Sequence, residues 1–142
     1  MAHTATHIAG STYRPTEIAV HSPAYEAFLI LRVAFVLAPL AAGLDKFMHI
    51  LVNWDIYLAP SVARVIPIPP HTFMMAVGVV EVLAGLLVAF MPAIGAYVVA
   101  VWLWGIIVNL LLVPGFYDIA LRDFGLSLGA LALARLSQEF AR

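Results

Sequence analysis

The longest apolar stretch of this chain runs from Phe73 to Pro114, with Glu81 as its one charged residue and Asn109 as its one other strongly polar side chain. Such a stretch is typical of membrane-spanning helices, which need about 20 apolar residues each. Pro92 divides it, because proline lacks an amide donor and disfavours helical backbone in the residue before it. The pattern therefore predicts two spans joined in a tight hairpin, with Glu81 well inside the first.

The flanking segments predict two more helices. One begins at Pro23, a residue type favoured at the first helical position, after a serine that can cap the first turn. Beyond Asp123 the apolar run is too short to span a membrane, so the last helix must include Arg122 and Asp123. Gly125 and Gly129 then share a face with Arg122, and this face is predicted to pack against the bundle. The predicted helices cover about 24–49, 71–91, 93–113 and 118–137.

The connection between the first two of these helices, from Asn53 to Pro70, is the only long one. Apolar residues recur in it at helical spacing, namely Trp54, Leu58, Val62 and Val65. This spacing predicts a short helix in the membrane interface, although an ordinary capping loop explains it equally well. The predicted fold class is all-α: a polar N-terminal tail over residues 1–22, then an integral membrane four-helix bundle over residues 23–142 with a short interfacial helix between helices 1 and 2.

Composition supports a membrane protein and excludes several partners. Of the 142 residues, 64% are hydrophobic and 11% charged, which leaves too little polar surface for a soluble globule. The formal net charge of -1 gives no basic patch, so membrane lipid is an expected partner and nucleic acid is not. The absence of cysteine excludes disulfides, thiolate metal sites and cysteine-bound cofactors such as iron–sulfur clusters.

The distribution of basic residues predicts the orientation. Four arginines lie toward the side of both termini and three basic residues lie toward the other side: Arg14, Arg32, Arg135 and Arg142 against Lys46, Arg64 and Arg122. Because basic residues are enriched on the cytoplasmic side, both termini are predicted to be cytoplasmic.

The interior polar residues of all four helices lie toward the face opposite the termini. An ionised side chain at this depth in the membrane is energetically costly unless it is paired with an opposite charge or exposed to water. Such residues therefore mark candidate functional sites. We predict Lys46 or Arg122 as the partner of Glu81. The candidate intramembrane polar pocket consists of Asp45, Lys46, Glu81, Asn109, Arg122 and Asp123, and is flanked by His49, His71 and Trp102.

Two interpretations of this charged layer remain open. The charges can neutralise one another and fix the helix register without any ligand, or they can form a pocket for a headgroup, a quinone-like molecule or a proton. No metal site is expected, because a metal or haem needs facing ligands at a fixed distance, and two histidines at loop edges, His49 and His71, do not establish one.

Three segments resemble, in order and spacing, the DoxX family of small four-helix bacterial membrane proteins. They are LRVAFVLAPLAAGLDKF (Leu31 to Phe47), GVVEVLAGLLVAF (Gly78 to Phe90) and RDFGLSLGALALA (Arg122 to Ala134). The ordered set of Lys46, Glu81 and Asp123 is more specific than the apolar motifs. The resemblance implies a four-helix bundle in the bacterial cytoplasmic (inner) membrane and association with redox systems, including the related DoxD subunit of a thiosulfate:quinone oxidoreductase. The N-terminal tail and the IPIPP segment lie outside it.

The leading functional hypothesis is a DoxX-like accessory subunit of a membrane redox complex, with a quinone as the expected cofactor and other membrane protein subunits as partners. The alternatives are a structural or assembly protein without chemistry of its own, and a carrier of protons or small solutes. An enzyme acting alone is not expected, because the sequence has no nucleophile–base pair, phosphate-binding glycine loop or metal-ligand cluster.

Overall fold

A computed structural model describes residues 22–141 of the chain. Within this range the regular structure is helical and no strand is present, which confirms the all-α class. The elements are α1 (Pro23–Met48), a 3-10 helix (Trp54–Tyr57), α2 (Pro60–Val65), α3 (Pro70–Phe90), α4 (Pro92–Leu111) and α5 (Tyr117–Phe140). Apart from Ser22, the predicted tail lies outside the described residues.

Proline begins most of these helices. It stands at the start of α1, α2, α3 and α4, where its fixed φ suits a helix and its missing amide proton leaves no bond unmade. Ser22 caps α1 by accepting a hydrogen bond from the Tyr25 amide at 3.2 Å. Each long helix begins one residue before the predicted position, and α5 continues past the predicted end at 137 to Phe140. The extension follows from packing, because the Phe140 ring contacts Tyr25 and Phe28 of α1.

The four long helices form a ring in chain order. α1 packs against α3, α3 against α4, α4 against α5, and α5 closes the ring on α1. Glycines permit the closest approach, since a Cβ atom built on Gly43 would lie 2.6 Å from the Gly78 carbonyl oxygen. In the hairpin between α3 and α4, a Cβ on Gly95 would lie 2.5 Å from the Val88 amide nitrogen. Small residues therefore determine the spacing of these two helix pairs.

Three helices in the described part of the chain are long and apolar enough to span a membrane. They are α1, α3 and α4, which indicate a membrane protein by length and composition. α5 carries more charged and polar residues and does not reach the same apolarity. It nevertheless lies beside the other three along the bundle, because Phe140 contacts the start of α1 and Ala120 packs near the end of α4.

The connection contains the predicted short helix in two pieces, the 3-10 helix and α2. Asn109 of α4 ties it to the bundle. The Asn109 side chain donates a hydrogen bond to the Tyr57 carbonyl at 2.6 Å and accepts one from the Ala59 amide at 2.9 Å. The connection therefore covers one end of the bundle.

The interior is filled unevenly. In the half near the termini, all four long helices contribute to one packed apolar cluster: Phe28, Phe35, Ala84, Val88, Ala96, Val99, Ala100, Ala130, Leu133 and Ala134. Gly129 belongs with this half, since a Cβ built on it would lie 3.3 Å from the Phe35 ring. Gly125, one turn earlier in α5, has nothing within 4 Å of its Cβ position. The prediction that Gly125 packs closely is wrong, because the bundle becomes hollow at this level.

Candidate ligand-binding cavity

A cavity of about 860 Å³ occupies the half of the bundle that the connection covers. This volume is within the range of pockets that hold cofactor-sized molecules. The four long helices and the connection all line it, mainly with apolar side chains, and it is partly open to the outside. Its polar lining residues are Lys46, Trp54, Tyr57, Glu81, Trp102, Asn109, Arg122 and Asp123.

A buried ion pair forms the polar wall of the cavity. Lys46 Nζ of α1 lies 2.6 Å from Glu81 Oε2 of α3, and the two side chains are 3% and 9% exposed. The Lys46 ammonium group also lies 3.7 Å from the centroid of the Trp54 ring, a cation–π contact. Of the two partners predicted for Glu81, the structure therefore selects Lys46. The charged atoms border the cavity beside the close contact between α1 and α3.

Trp102 of α4 and Asp123 of α5 line the same cavity close to the ion pair. The Trp102 indole N–H lies near the Glu81 carboxylate but makes no hydrogen bond of ordinary length and angle within the described residues. Asp123 is close enough to Glu81 for their charges to interact. Two carboxyl groups, one ammonium group and one indole N–H thus border the same space.

Asp45 has a different role from the predicted one. It is 2% exposed but does not line the cavity. Its carboxylate accepts hydrogen bonds from the Ile50 amide at 2.9 Å, the Leu51 amide at 3.0 Å and the Trp54 indole at 2.7 Å. The chain reverses direction after α1, and this reversal brings those donors to Asp45. Asp45 therefore organises the connection and places the Trp54 ring against Lys46.

Arg122 is not directed into the bundle as predicted. Its side chain is 75% exposed and forms an ion pair with Asp118, four residues earlier on α5, at 3.4 Å. The residue borders the cavity, but its charge is paired at the surface. The helical spacing of Arg122 with Gly125 and Gly129 predicts an inward side chain, but a long flexible side chain does not have to follow that face.

His49 and His71 lie outside the cavity lining but next to each other. Their rings stack with centroids 5.3 Å apart, and His71 Nδ1 lies 3.0 Å from Asp55 Oδ2. Asp55 and Trp54 were not predicted as site residues. Only the path of the connection, which the sequence pattern does not determine, brings them to the ends of α1 and α3.

The arrangement can bind an amphipathic molecule. Its apolar walls suit a hydrophobic body, and its buried donors suit a hydrogen-bond acceptor. Comparisons with protein-family models, curated proteins and solved structures find no match to this chain.

Proposed function

We propose that this protein is a membrane subunit that binds a quinone-like molecule in the cavity and serves a membrane redox assembly. The observation that carries the proposal is the largely apolar cavity with the buried Lys46–Glu81 pair in its wall. The buried indole N–H of Trp102 lies beside this pair and makes no hydrogen bond of ordinary length and angle within the described residues. A buried donor without an acceptor is costly, and a bound acceptor removes that cost.

A quinone meets both halves of this environment. Its carbonyl oxygens accept hydrogen bonds, and Trp102 and the remaining N–H groups of Lys46 can donate them. Its hydrophobic ring and tail match the apolar walls contributed by residues such as Leu31, Ala38 and Phe73. We place the head of the molecule at the ion pair and its tail toward the bilayer.

The route of entry in this proposal is lateral. Of the four neighbouring helix pairs, α1 and α5 have the least extensive contact. Small residues line the cavity on both sides of that contact, with Ala34 and Ala38 on α1 and Gly125 on α5. A lipid-soluble molecule can therefore enter between α1 and α5 at the level of Gly125, beyond the packed contact between Phe35 and Gly129.

The resemblance to the DoxX family points in the same direction. Each of its three segments supplies at least one ionisable residue that lines the cavity: Lys46 from the first, Glu81 from the second, and Arg122 and Asp123 from the third. Association with a redox complex and location in a bacterial inner membrane, with both termini cytoplasmic, are part of the proposal.

The test of this function is recovery of the tagged protein from its native membranes in mild detergent, followed by mass spectrometry of the proteins and small molecules that accompany it. We expect a redox enzyme and a quinone in stoichiometric amount. The matched comparison is Gly125→Leu, which fills the cavity and should lose the quinone while keeping the protein partner. Recovery of wild-type protein without quinone and without a redox enzyme would contradict the proposal.

A structural role is the second candidate. It is favoured by the Lys46–Glu81 contact, which joins α1 to α3 in the same region as the Gly43–Gly78 approach. In that case, replacement of Glu81 by glutamine lowers the melting temperature but leaves the turnover of the assembly per folded molecule unchanged. In the quinone-binding case, turnover falls as well.

A further inference from the structure

Three potential metal ligands from three separate elements lie close together at the end of the bundle that the connection covers. They are His49, Asp55 and His71, each of which offers one ligand atom within 4.8 Å of the other two. His49 follows the last residue of α1, Asp55 is in the 3-10 helix, and His71 is in the first turn of α3. Sequence spacing does not predict this cluster, because 22 positions separate the two histidines.

The backbone that presents these side chains is fixed rather than loose. His49 has a φ of 52° and a ψ of 40°, in the left-handed region that few residues other than glycine adopt. Its amide donates to the Asp45 carbonyl at 2.7 Å. The Asp45 carboxylate then holds the Ile50 and Leu51 amides and the Trp54 indole. The chain between His49 and Asp55 is thus held by one buried residue.

The side chains themselves leave coordination capacity unused. Asp55 Oδ2 contacts His71 Nδ1 at 3.0 Å, whereas Asp55 Oδ1 is buried without a hydrogen-bond partner in the described residues. The His49 and His71 rings lie side by side and are exposed, so both can turn toward a common point. A divalent cation between them would satisfy the second carboxylate oxygen.

We propose that His49, Asp55 and His71 bind one divalent transition-metal ion, with Zn²⁺ as the best match. Two imidazole nitrogens and one carboxylate oxygen are a common three-residue ligand set for zinc, and water completes the coordination. With bonds of about 2.0–2.2 Å, the three ligand atoms must move closer together than they are now, which the exposed histidines permit. This inference does not depend on the proposed quinone binding.

The ion would clamp the connection to the ends of α1 and α3. The 3-10 helix that carries Asp55 also carries Trp54 and Tyr57, which line the cavity. Metal binding therefore holds the part of the connection that covers the cavity.

The test is titration of the full-length protein, purified in detergent with a tag that contains no histidine and stripped of metal, with Co²⁺ as a spectroscopic probe for the Zn²⁺ site. We expect visible d–d absorption that saturates at one equivalent and disappears when Zn²⁺ is added. Zn²⁺ should also raise the melting temperature of the wild-type protein. Absence of a saturable Co²⁺ signal would overturn the inference.

The variants separate this cluster from the other histidines. His49→Gly keeps a residue that tolerates the left-handed backbone, and His71→Ala changes an exposed side chain, so both should fold. Each should weaken Co²⁺ binding at least tenfold. The control is a triple variant in which His3, His7 and His21 are alanine, and it should bind as tightly as the wild type. Binding that survives in His49→Gly and His71→Ala but is lost in the triple variant would overturn the inference.

Discussion

The Lys46–Glu81 pair is a buried ion pair in the hollow half of the bundle. Both side chains are buried, and their charged atoms are 2.6 Å apart. Desolvation of two charges is costly, and their attraction offsets this cost only when the geometry is good. Removal of one partner is worse than removal of both, because it leaves a single charge in an apolar environment.

We predict that Glu81→Gln lowers the free energy of unfolding by about 3 kcal/mol, since it leaves the Lys46 ammonium without a carboxylate. The double variant Lys46→Met/Glu81→Leu should recover most of this loss, because no charge remains. Reversible unfolding in mixed detergent micelles measures both. Equal stability of the wild type and Glu81→Gln would show that the pair contributes nothing to the fold.

For single residues, the sequence predicts those features that depend only on how deep a side chain lies within an apolar helix. Glu81 lies deep in an apolar helix, and few long cationic side chains can reach it, so the sequence limits its partner to Lys46 or Arg122, and the structure selects Lys46. The role of Asp45 was not predictable, because it depends on where the chain turns after α1. The same turn decides that Asp55 meets His71, and no periodic pattern in the connection reports it.

At the scale of elements, glycine has opposite roles in different parts of the same bundle. Gly43 and Gly78 allow α1 and α3 to approach until backbone meets backbone. Gly105 and Gly125 line the cavity, and neither has any atom within 4 Å of its Cβ position. Gly43 and Gly78 therefore permit a close helix contact, whereas Gly105 and Gly125 leave space in the cavity.

This contrast predicts different outcomes for the same substitution. Gly43→Ala should destabilise the protein and lower its melting temperature, because the new methyl group would lie 2.6 Å from the Gly78 carbonyl oxygen, a backbone atom. Gly105→Ala is the matched control and should be neutral or slightly stabilising, since alanine is the better helix former. Thermal unfolding of the two variants checks this, and equal melting temperatures would contradict the described contact between α1 and α3.

The sequence predicted the long helices well because their signals are local. Proline marks the start of α1, α3 and α4, and apolar length determines how far each continues. The sequence did not distinguish Gly129, which packs against another helix, from Gly125, which leaves open space, since both belong to the same spacing pattern. Only the position of Phe35, which fills the space beside Gly129, distinguishes them.

At the scale of the whole molecule, the bundle consists of a packed half and a hollow half. The packed half, near the described ends of the chain, holds the four helices together through their apolar cluster. The hollow half, under the connection, contains the buried ion pair and the cavity. Apolar contacts among all four long helices are therefore concentrated in the packed half.

The ring of four helices predicts that α5 crosses the membrane beside α1, although it is less apolar. The chain has no cysteine, so single cysteines can be labelled without background. A membrane-impermeant maleimide applied to intact and to permeabilised cells should label Ala24→Cys and Ala141→Cys from the same side and Ser61→Cys from the other. Labelling of Ala141→Cys from the side of Ser61→Cys would show that α5 does not cross.

The proposed binding of a quinone in the cavity beside Lys46 and Glu81 can be measured by tryptophan fluorescence. Trp54 and Trp102 line the cavity, whereas Trp104, the third tryptophan, does not. In a Trp104→Phe background, a short-chain quinone added to the purified protein should quench the emission saturably. Gly125→Leu should weaken this quenching at least tenfold, and Ala132→Leu, which places the same side chain at an exposed position of α5, should not. Quenching that does not saturate, or that is equal in all three proteins, would contradict quinone binding in the cavity.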